Sequence, residues 1–154
     1  MKRIVAVVGK ARHESVGPAA REYEARAARY WPMEVREVRE ESGRSVPPAL
    51  VREREGRRLL DVAGERVHLV VCDPGGTEMT SEQFSGFLQR ERESGVDVCF
   101  VIGGAHGLSP EVIGAARTRL ALAPWTLPHE LARLVLAEQL YRAGTIVRGE
   151  PYHK

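Results

Sequence analysis

The sequence has few cysteines, few lysines and no long apolar run. Its 154 residues include two cysteines, Cys72 and Cys99, whose spacing is typical of neither a zinc site nor a redox site. No stretch approaches the ~18 apolar residues that a membrane span requires. The amino terminus, MKRIVAVVGK, lacks the longer apolar core and the cleavage site of a signal peptide. These absences favour a cytoplasmic protein without a metal site or a membrane segment.

Lysine is scarce because arginine supplies most of the positive charge. Of 23 basic residues, only Lys2, Lys10 and Lys154 are lysines, and 21 acidic residues reduce the formal net charge to +2. Arginine suits phosphate because its planar guanidinium donates in a fork. At so small a net charge, a general preference for arginine in the genome explains the bias more simply. Charge alone therefore leaves nucleic-acid binding open.

Several common catalytic motifs are also missing. The sequence has no G-x-x-x-x-G-K-[ST] phosphate loop, and neither GKARHES nor IGGAHG completes G-x-G-x-x-G. HELAR, at 129–133, has arginine where the second ligand of a zinc protease would stand. There is no G-x-S-x-G nucleophile elbow. These absences disfavour a P-loop nucleotidase, a dinucleotide-binding enzyme, a metalloprotease and an α/β-hydrolase, and they leave a flavodoxin-like nucleotide binder as an alternative.

Short apolar runs alternate with helical patterns along the chain. Strands are predicted at 3–9, 33–40, 66–73, 96–104 and 120–127, and helices at 17–30, 48–63, 81–94, from Ser109-Pro110, and from 128 to about 147. The strict alternation of MEVREVRE predicts an edge strand, whereas ESGRSVPP (41–48) and PGGTEMT (74–80) predict loops. This order predicts a single α/β domain over 1–154, with a mostly parallel sheet flanked by helices.

Two loops at predicted strand ends have unusual compositions. Ligands of open α/β sheets bind at the carboxyl ends of the strands. The segment GGAHGLSPE, which begins at Gly103, contains three glycines in five residues, so its backbone can approach a flat ligand closely. The segment APWTLPH, at 123–129, is a stiff loop with two prolines and no charge before its histidine, which suits the edges of an adenine ring. Each loop alone is equally compatible with a tight turn that positions the next helix.

The last predicted helix is apolar on two sides. Its apolar residues form two stripes, one of Leu131, Leu134, Val135 and Tyr141 and one of Leu136, Leu140, Ala143 and Val147. A helix with two apolar sides is expected to pack against a different structural unit on each side. In a short chain the second unit can be another subunit, for which a two-fold dimer is the default. Glu138 and Arg142 lie one turn apart on the first stripe, either as a structural ion pair or as a pair that directs Arg142 towards a site.

Three segments of the chain resemble the signatures of a known family. VIGGAHGLSPE, TLPHELARLVLAEQLYRA and the terminal RGEPYHK are similar to segments of the RlmH (YbeA) family, which comprises ribosomal RNA large-subunit methyltransferases of the SPOUT superfamily. The likeness covers essentially the whole chain, including AVVGK near the amino terminus. It implies a SPOUT α/β fold, a deep trefoil knot in the C-terminal part, although chains seldom thread loops, and a homodimer.

The resemblance also implies an activity and a set of site residues. The activity is N3-methylation of a pseudouridine in the helix-69 stem-loop of 23S rRNA, with S-adenosylmethionine as donor and the assembled ribosome, not DNA, as substrate. Cofactor contacts are implied for Cys72, Gly104, Ala123, Pro124, Trp125, Thr126, Leu127 and Pro128. RNA binding is implied for Arg142, Tyr152, His153 and Lys154, of which the first three are also the implied catalytic residues.

These residue types suit a methyl transfer to a uracil-like ring, whose N3–H must lose its proton as the methyl arrives. Arg142 would stabilise the developing anion, His153 is a candidate proton acceptor, and the Tyr152 ring can stack on a base. Without the resemblance, the last three residues are typical of a frayed chain end. Two alternatives stay open: a methyltransferase acting on another RNA such as tRNA, and a non-catalytic assembly factor that binds the ribosome.

Overall fold

In the computed structural model, which describes residues 1–42 and 44–154, five parallel strands form one sheet. The strands are β1 (Arg3–Val8), β2 (Met33–Val38), β3 (Val67–Glu78), β4 (Asp97–Ile102) and β5 (Thr118–Ala121), in the order β2-β1-β4-β3-β5. Each neighbouring pair is parallel. The predicted parallel α/β sheet is confirmed, and β2 lies at an edge, as its alternating pattern predicts.

Helices connect and flank the strands. They are α1 (Val16–Ala27), α2 (Pro48–Ala63), α3 (Ser81–Glu93), α4 (Pro110–Ala115) and α5 (His129–Val147), and a 3-10 turn follows at Pro151–His153. A capping box starts α3, since the Thr80 side chain accepts from the Gln83 backbone N–H at 3.1 Å and the Gln83 side chain accepts from the Thr80 N–H at 2.9 Å. In the described part of the chain, no helix combines the length and apolar character needed to cross a bilayer.

The sheet has an apolar core on each face. Val5, Val7 and Phe100 pack on one face with α1, α3 and α5, and the opposite face holds Ile4 and Val101 against α2 and α4. Because helices cover both faces, the central strands are continuous apolar runs rather than alternating ones. The two-sided covering leaves the strand ends as the place where a ligand can reach the sheet.

The strands differ from the prediction at two places. Residues 74–78, predicted as loop, belong to β3, because β5 pairs with β3 on both sides of a bulge: Leu120 is opposite both Cys72 and Thr77. Conversely, β5 ends at Ala121, so residues 122–127, predicted as extended, form a loop. The predicted loop at 41–48 includes Gly43, which lies outside the described residues.

The last helix keeps only part of its predicted pattern. Leu136, Leu140 and Ala143 are buried against the sheet, whereas Val147, placed on the same stripe, is exposed in the last turn of α5. Residues of the other stripe, among them Leu131, are only half-buried in the single chain. One side of α5 is therefore buried in the core, and the other side is partly exposed to solvent in the single chain.

Candidate functional site

A cavity of about 500 Å³ opens at the carboxyl ends of β3, β4 and β5. These three strands are neighbours in the sheet, so the segments that follow them meet at one edge. The lining residues are Cys72, Asp73, Pro74, Ile102, Gly103, Gly104, Ala105, Gly107, Leu108, Leu122, Ala123, Trp125, Thr126, Leu127, Pro128, His129 and Ala132. Its size is in the range of small-molecule and cofactor sites.

The cavity brings together almost all the residues for which the resemblance implies cofactor contacts. Cys72 lies in the bulge of β3, Gly104 follows β4, and Ala123 and Trp125–Pro128 follow β5. Pro124 is the exception, because it is exposed and does not line the cavity. Sequence reasoning missed Asp73, although its position directly after Cys72 in a predicted strand end could have indicated it.

The segment after β4 has no room for a side chain at Gly104. A Cβ atom there would lie 2.9 Å from Glu55 Oε1 and 3.1 Å from Val8 Cγ1. Gly107 closes a tight turn in this segment, since it has a φ of 79° and its N–H donates to the Gly104 carbonyl at 3.0 Å. The backbone at Gly104 is therefore pressed between β1 and α2 on one side and the cavity on the other.

The carboxylate behind Gly104 is a feature that the sequence did not reveal. Glu55 is only 4% exposed. Its Oε2 accepts from the Glu41 backbone N–H at 3.0 Å, whereas Oε1 has no hydrogen-bond partner in the described part of the chain. A glutamate in the Arg- and Glu-rich pattern of α2 resembles a solvated position, so only the tertiary packing against Gly104 identifies it.

The lining of the cavity is largely uncharged. Burial raises the pKa of the Cys72 thiol to about 12, so that it contributes a neutral, apolar surface. Asp73 is the acidic residue of the lining, and its Oδ2 accepts from Arg119 Nη2 at 2.5 Å and from the Gly75 N–H at 3.1 Å. Such a lining suits a flat ligand whose edges bond to backbone groups.

A second cluster lies further along α5, around Glu138 in the middle of the helix. Glu138 Oε1 accepts from Arg142 Nε at 3.0 Å and from the Tyr152 hydroxyl at 3.0 Å. The Arg142 guanidinium lies 4.8 Å from the centroid of the Tyr152 ring. The centroids of the Tyr141 and Tyr152 rings are 4.6 Å apart. The terminal turn is thus held against α5 rather than frayed.

The contacts of this cluster keep Arg142 positively charged and Tyr152 neutral. The hydrogen bond with Glu138 raises the pKa of Arg142, which stays a cation. Burial, together with hydrogen bonds to Tyr23 and Glu138, raises the pKa of Tyr152, which stays a neutral donor. The Nδ1 atom of His153 is buried and has no hydrogen-bond partner among residues 1–42 and 44–154. Lys154 is exposed.

Within one chain, the two clusters are apart. Arg142, Tyr152, His153 and Lys154 are absent from the cavity lining, which includes Ala132 of α5. Arg142 lies further along the same helix by roughly 15 Å, at a rise of about 1.5 Å per residue. No side chain spans that distance, so a single chain does not bring the implied catalytic residues to the cavity.

Within the described ranges, no group of three or more histidine, cysteine, aspartate or glutamate side chains has the arrangement of a metal site. Asp73 is engaged by Arg119 and Glu138 by Arg142, so each acidic group already has a cationic partner.

The family model and the curated relatives that match this chain agree on one family. Residues 1–153 match the family model described as "Predicted SPOUT methyltransferase". Over 154 residues and the full length of both proteins, the chain is 57% identical to the ribosomal RNA large subunit methyltransferase H of Gemmatimonas aurantiaca. It is 48% identical, again over both full lengths, to the protein of the same name from Anaeromyxobacter dehalogenans strain 2CP-C.

Solved structures are similar in fold. A probable methylase family protein from Haemophilus influenzae superposes with a TM-score of 0.54 at 15% identity, covering 99% of this chain and 70% of the other. TrmJ from Z. mobilis superposes with a TM-score of 0.51 at 15% identity, covering 93% of this chain and 70% of the other. At these identities the likeness concerns the fold alone.

Proposed function

The chain belongs to the SPOUT methyltransferase family, and from that premise we propose that it transfers a methyl group from S-adenosylmethionine to large-subunit ribosomal RNA. The observation that carries the proposal is the cavity at the ends of β3, β4 and β5, which is lined by all the residues implied as cofactor contacts except Pro124. The names of the full-length relatives support ribosomal RNA as the substrate.

The residues of the cavity fit the proposed cofactor. S-adenosylmethionine, when bound, supplies a methyl group already activated by the sulfonium. The uncharged loop 123–128 offers backbone groups to the edges of the adenine ring, and Gly104 allows the backbone to approach closely. The neutral thiol of Cys72 adds an apolar wall. Catalysis is then mainly a matter of positioning the RNA base against the methyl group.

The Glu138 cluster supplies the groups that act on the RNA base. Arg142 stabilises the negative charge that develops on the ring as N3 loses its proton. Tyr152 positions Arg142, because its ring lies under the guanidinium and its hydroxyl bonds to the same carboxylate oxygen. We assign the role of proton acceptor to His153, which lies in the same terminal turn as Tyr152.

The separation of the two clusters supports a homodimer. If α5 packs against α5 of a second copy in the opposite direction, Arg142 of the partner subunit lies beside the cavity of the first. The half-buried stripe that includes Leu131, Leu134 and Val135 provides the apolar surface for this contact. A symmetric dimer of this kind contains two composite sites.

The proposed target is the N3 atom of a pseudouridine in helix 69 of 23S rRNA in the assembled ribosome, within the cytoplasm. A net charge of +2 provides little attraction for naked RNA, so binding to free RNA should be weak and sensitive to salt, and the ribosome supplies the remaining contacts. We further propose that the C-terminal part of the fold is threaded as a deep trefoil knot, as the family resemblance implies.

Incubation of the purified protein with labelled S-adenosylmethionine and unmodified ribosomes, free 23S rRNA or tRNA tests the proposal. We expect label in the 23S rRNA of ribosomes. Label in tRNA alone would favour the alternative substrate, and cofactor binding without any transfer would favour an assembly factor. Arg142→Ala and His153→Ala should abolish most methylation while cofactor binding persists, and activity that survives both changes contradicts the assigned roles.

A further inference from the structure

An exposed indole stands at the mouth of the cavity. Trp125 is 77% exposed, whereas the only other tryptophan, Trp31, is 1% exposed and donates from Nε1 to the Leu140 carbonyl at 2.9 Å. In the described part of the chain, Val147 is the other large hydrophobic side chain with high exposure, at 37%. The indole at the rim of the cavity therefore offers a large, flat aromatic face to a molecule that approaches the cavity from solvent.

We propose that Trp125 stacks on a base of the RNA substrate, next to the nucleotide that receives the methyl group; this inference rests on the proposed function. The substrate base must come to the mouth of the cavity to meet the methyl group, and Trp125 lines that mouth. Proteins recognise RNA loops chiefly by stacking splayed bases on aromatic rings. The loop 123–128 contains no charged side chain that could bind phosphate instead.

The loop is suited to present a ring without further ordering. Pro124 and Pro128 flank the segment and restrict its backbone. A tryptophan has only two side-chain torsions, so stacking costs little conformational entropy. The stacking partner is an RNA base rather than the adenine of the cofactor, because most of the indole surface faces solvent whereas the adenine site that we propose lies within the cavity.

Two substitutions separate a stacking role from a merely apolar one. Trp125→Leu keeps an apolar side chain but removes the aromatic face, and Trp125→Phe restores an aromatic face of smaller area. We expect Trp125→Leu to lower kcat/KM for unmodified ribosomes roughly five- to hundredfold, mainly through KM, as the loss of one base–aromatic stack does. Trp125→Phe should recover most of the loss. Because we propose that loop 123–128 holds the cofactor through its backbone groups, and not through the indole, calorimetric affinity for S-adenosylmethionine should stay unchanged in both variants. The molecular mass in solution should also stay unchanged.

Tryptophan fluorescence gives a second readout that does not need turnover. Because Trp31 is buried, quenching by acrylamide reports chiefly on Trp125. An RNA stem-loop of the unmodified helix-69 sequence, added to saturation at low salt, should shield Trp125, whereas the cofactor alone should not.

Four results would overturn the inference: wild-type kinetics in Trp125→Leu, a loss of cofactor affinity, a change in molecular mass, or no shielding by the stem-loop. Lost cofactor affinity would mean that the indole covers the cofactor, and a changed mass that it contacts a second copy. If the wild-type protein methylates ribosomes while Trp125→Leu matches it, only the stack is wrong. If Trp125 is shielded but the wild-type protein methylates no RNA, the proposed function is wrong and the stack stands.

Discussion

Mixing two inactive variants tests whether each site is built from two chains. Thr126→Arg places a long cationic side chain on an exposed position of the cavity lining, where it blocks the cavity and repels a sulfonium. Arg142→Ala removes the guanidinium from the Glu138 cluster. Each variant alone should be inactive, because each homodimer lacks one component in both sites.

The magnitude of the recovery follows from the separation of the two clusters. Because Arg142 lies roughly 15 Å along α5 from the cavity of its own chain, a complete site needs the cavity of one chain and Arg142 of the other. After random exchange of equal amounts, half of the dimers are mixed, and each mixed dimer has one complete site. About a quarter of the wild-type activity should therefore return.

The assay is transfer of labelled methyl groups to ribosomes after the mixed subunits have exchanged. As a control, the double variant Thr126→Arg/Arg142→Ala is mixed with an equal amount of wild-type protein. About a quarter of all sites in this mixture should be complete if both chains contribute to a site, and about half if each chain acts alone. No recovery in the first mixture, together with half the activity in the second, would refute the composite site.

Three other changes have defined outcomes. Gly104→Ala places a methyl group 2.9 Å from Glu55 Oε1, so it should lower the free energy of unfolding by about 1–3 kcal/mol in chemical denaturation and weaken cofactor binding in calorimetry. An unchanged free energy of unfolding together with an unchanged cofactor affinity would show that residue 104 has space for a side chain. Arg133→Ala should lower the free energy of unfolding by about 3 kcal/mol in the same assay, because Arg133 is 6% exposed and pairs with Glu24 at 2.6 Å, so that its removal leaves the Glu24 carboxylate without a cation. A decrease of less than about 1 kcal/mol would contradict a strong buried ion pair. Hydrogen bonds from neighbouring cations lower the pKa of Glu34 to about 2, so the ionised Glu34 stabilises the fold above the normal carboxyl pKa and this contribution disappears as pH falls towards 2. Glu34→Gln should therefore lower the free energy of unfolding slightly at pH 7 and not at pH 2, and an equal decrease at both pH values would refute the role of the ion pairs.

The sequence was sufficient to predict a parallel sheet flanked by helices, because the signals for most of its strands are local. Continuous apolar runs such as 98–102 are typical of strands covered on both faces. Gly95, with a φ of 75°, follows the helix that was predicted at 81–94. The bulge in β3 could not be predicted, since Pro74 and Gly75 indicate a turn locally. Its pairing depends on β5, which is more than 40 residues away.

The candidate site was partly accessible from the sequence. The rule that ligands bind at the carboxyl ends of strands indicated the segments around Gly104 and Leu127, and the parallel order of β4, β3 and β5 explains why they meet. Glu55 was missed because its burial depends on packing against another element. The terminal turn was identified by resemblance alone, since the hydrogen bond from Tyr152 to Glu138 is a tertiary contact.

The most direct test of the central claim is mass mapping of 23S rRNA from cells with and without this protein. We predict one additional methyl group, on N3 of a pseudouridine in helix 69, in cells that contain the protein, and its absence when the gene is deleted. Restoration by the wild-type chain but not by Arg142→Ala would link the modification to this site. Identical 23S rRNA from both kinds of cell would contradict the proposed function.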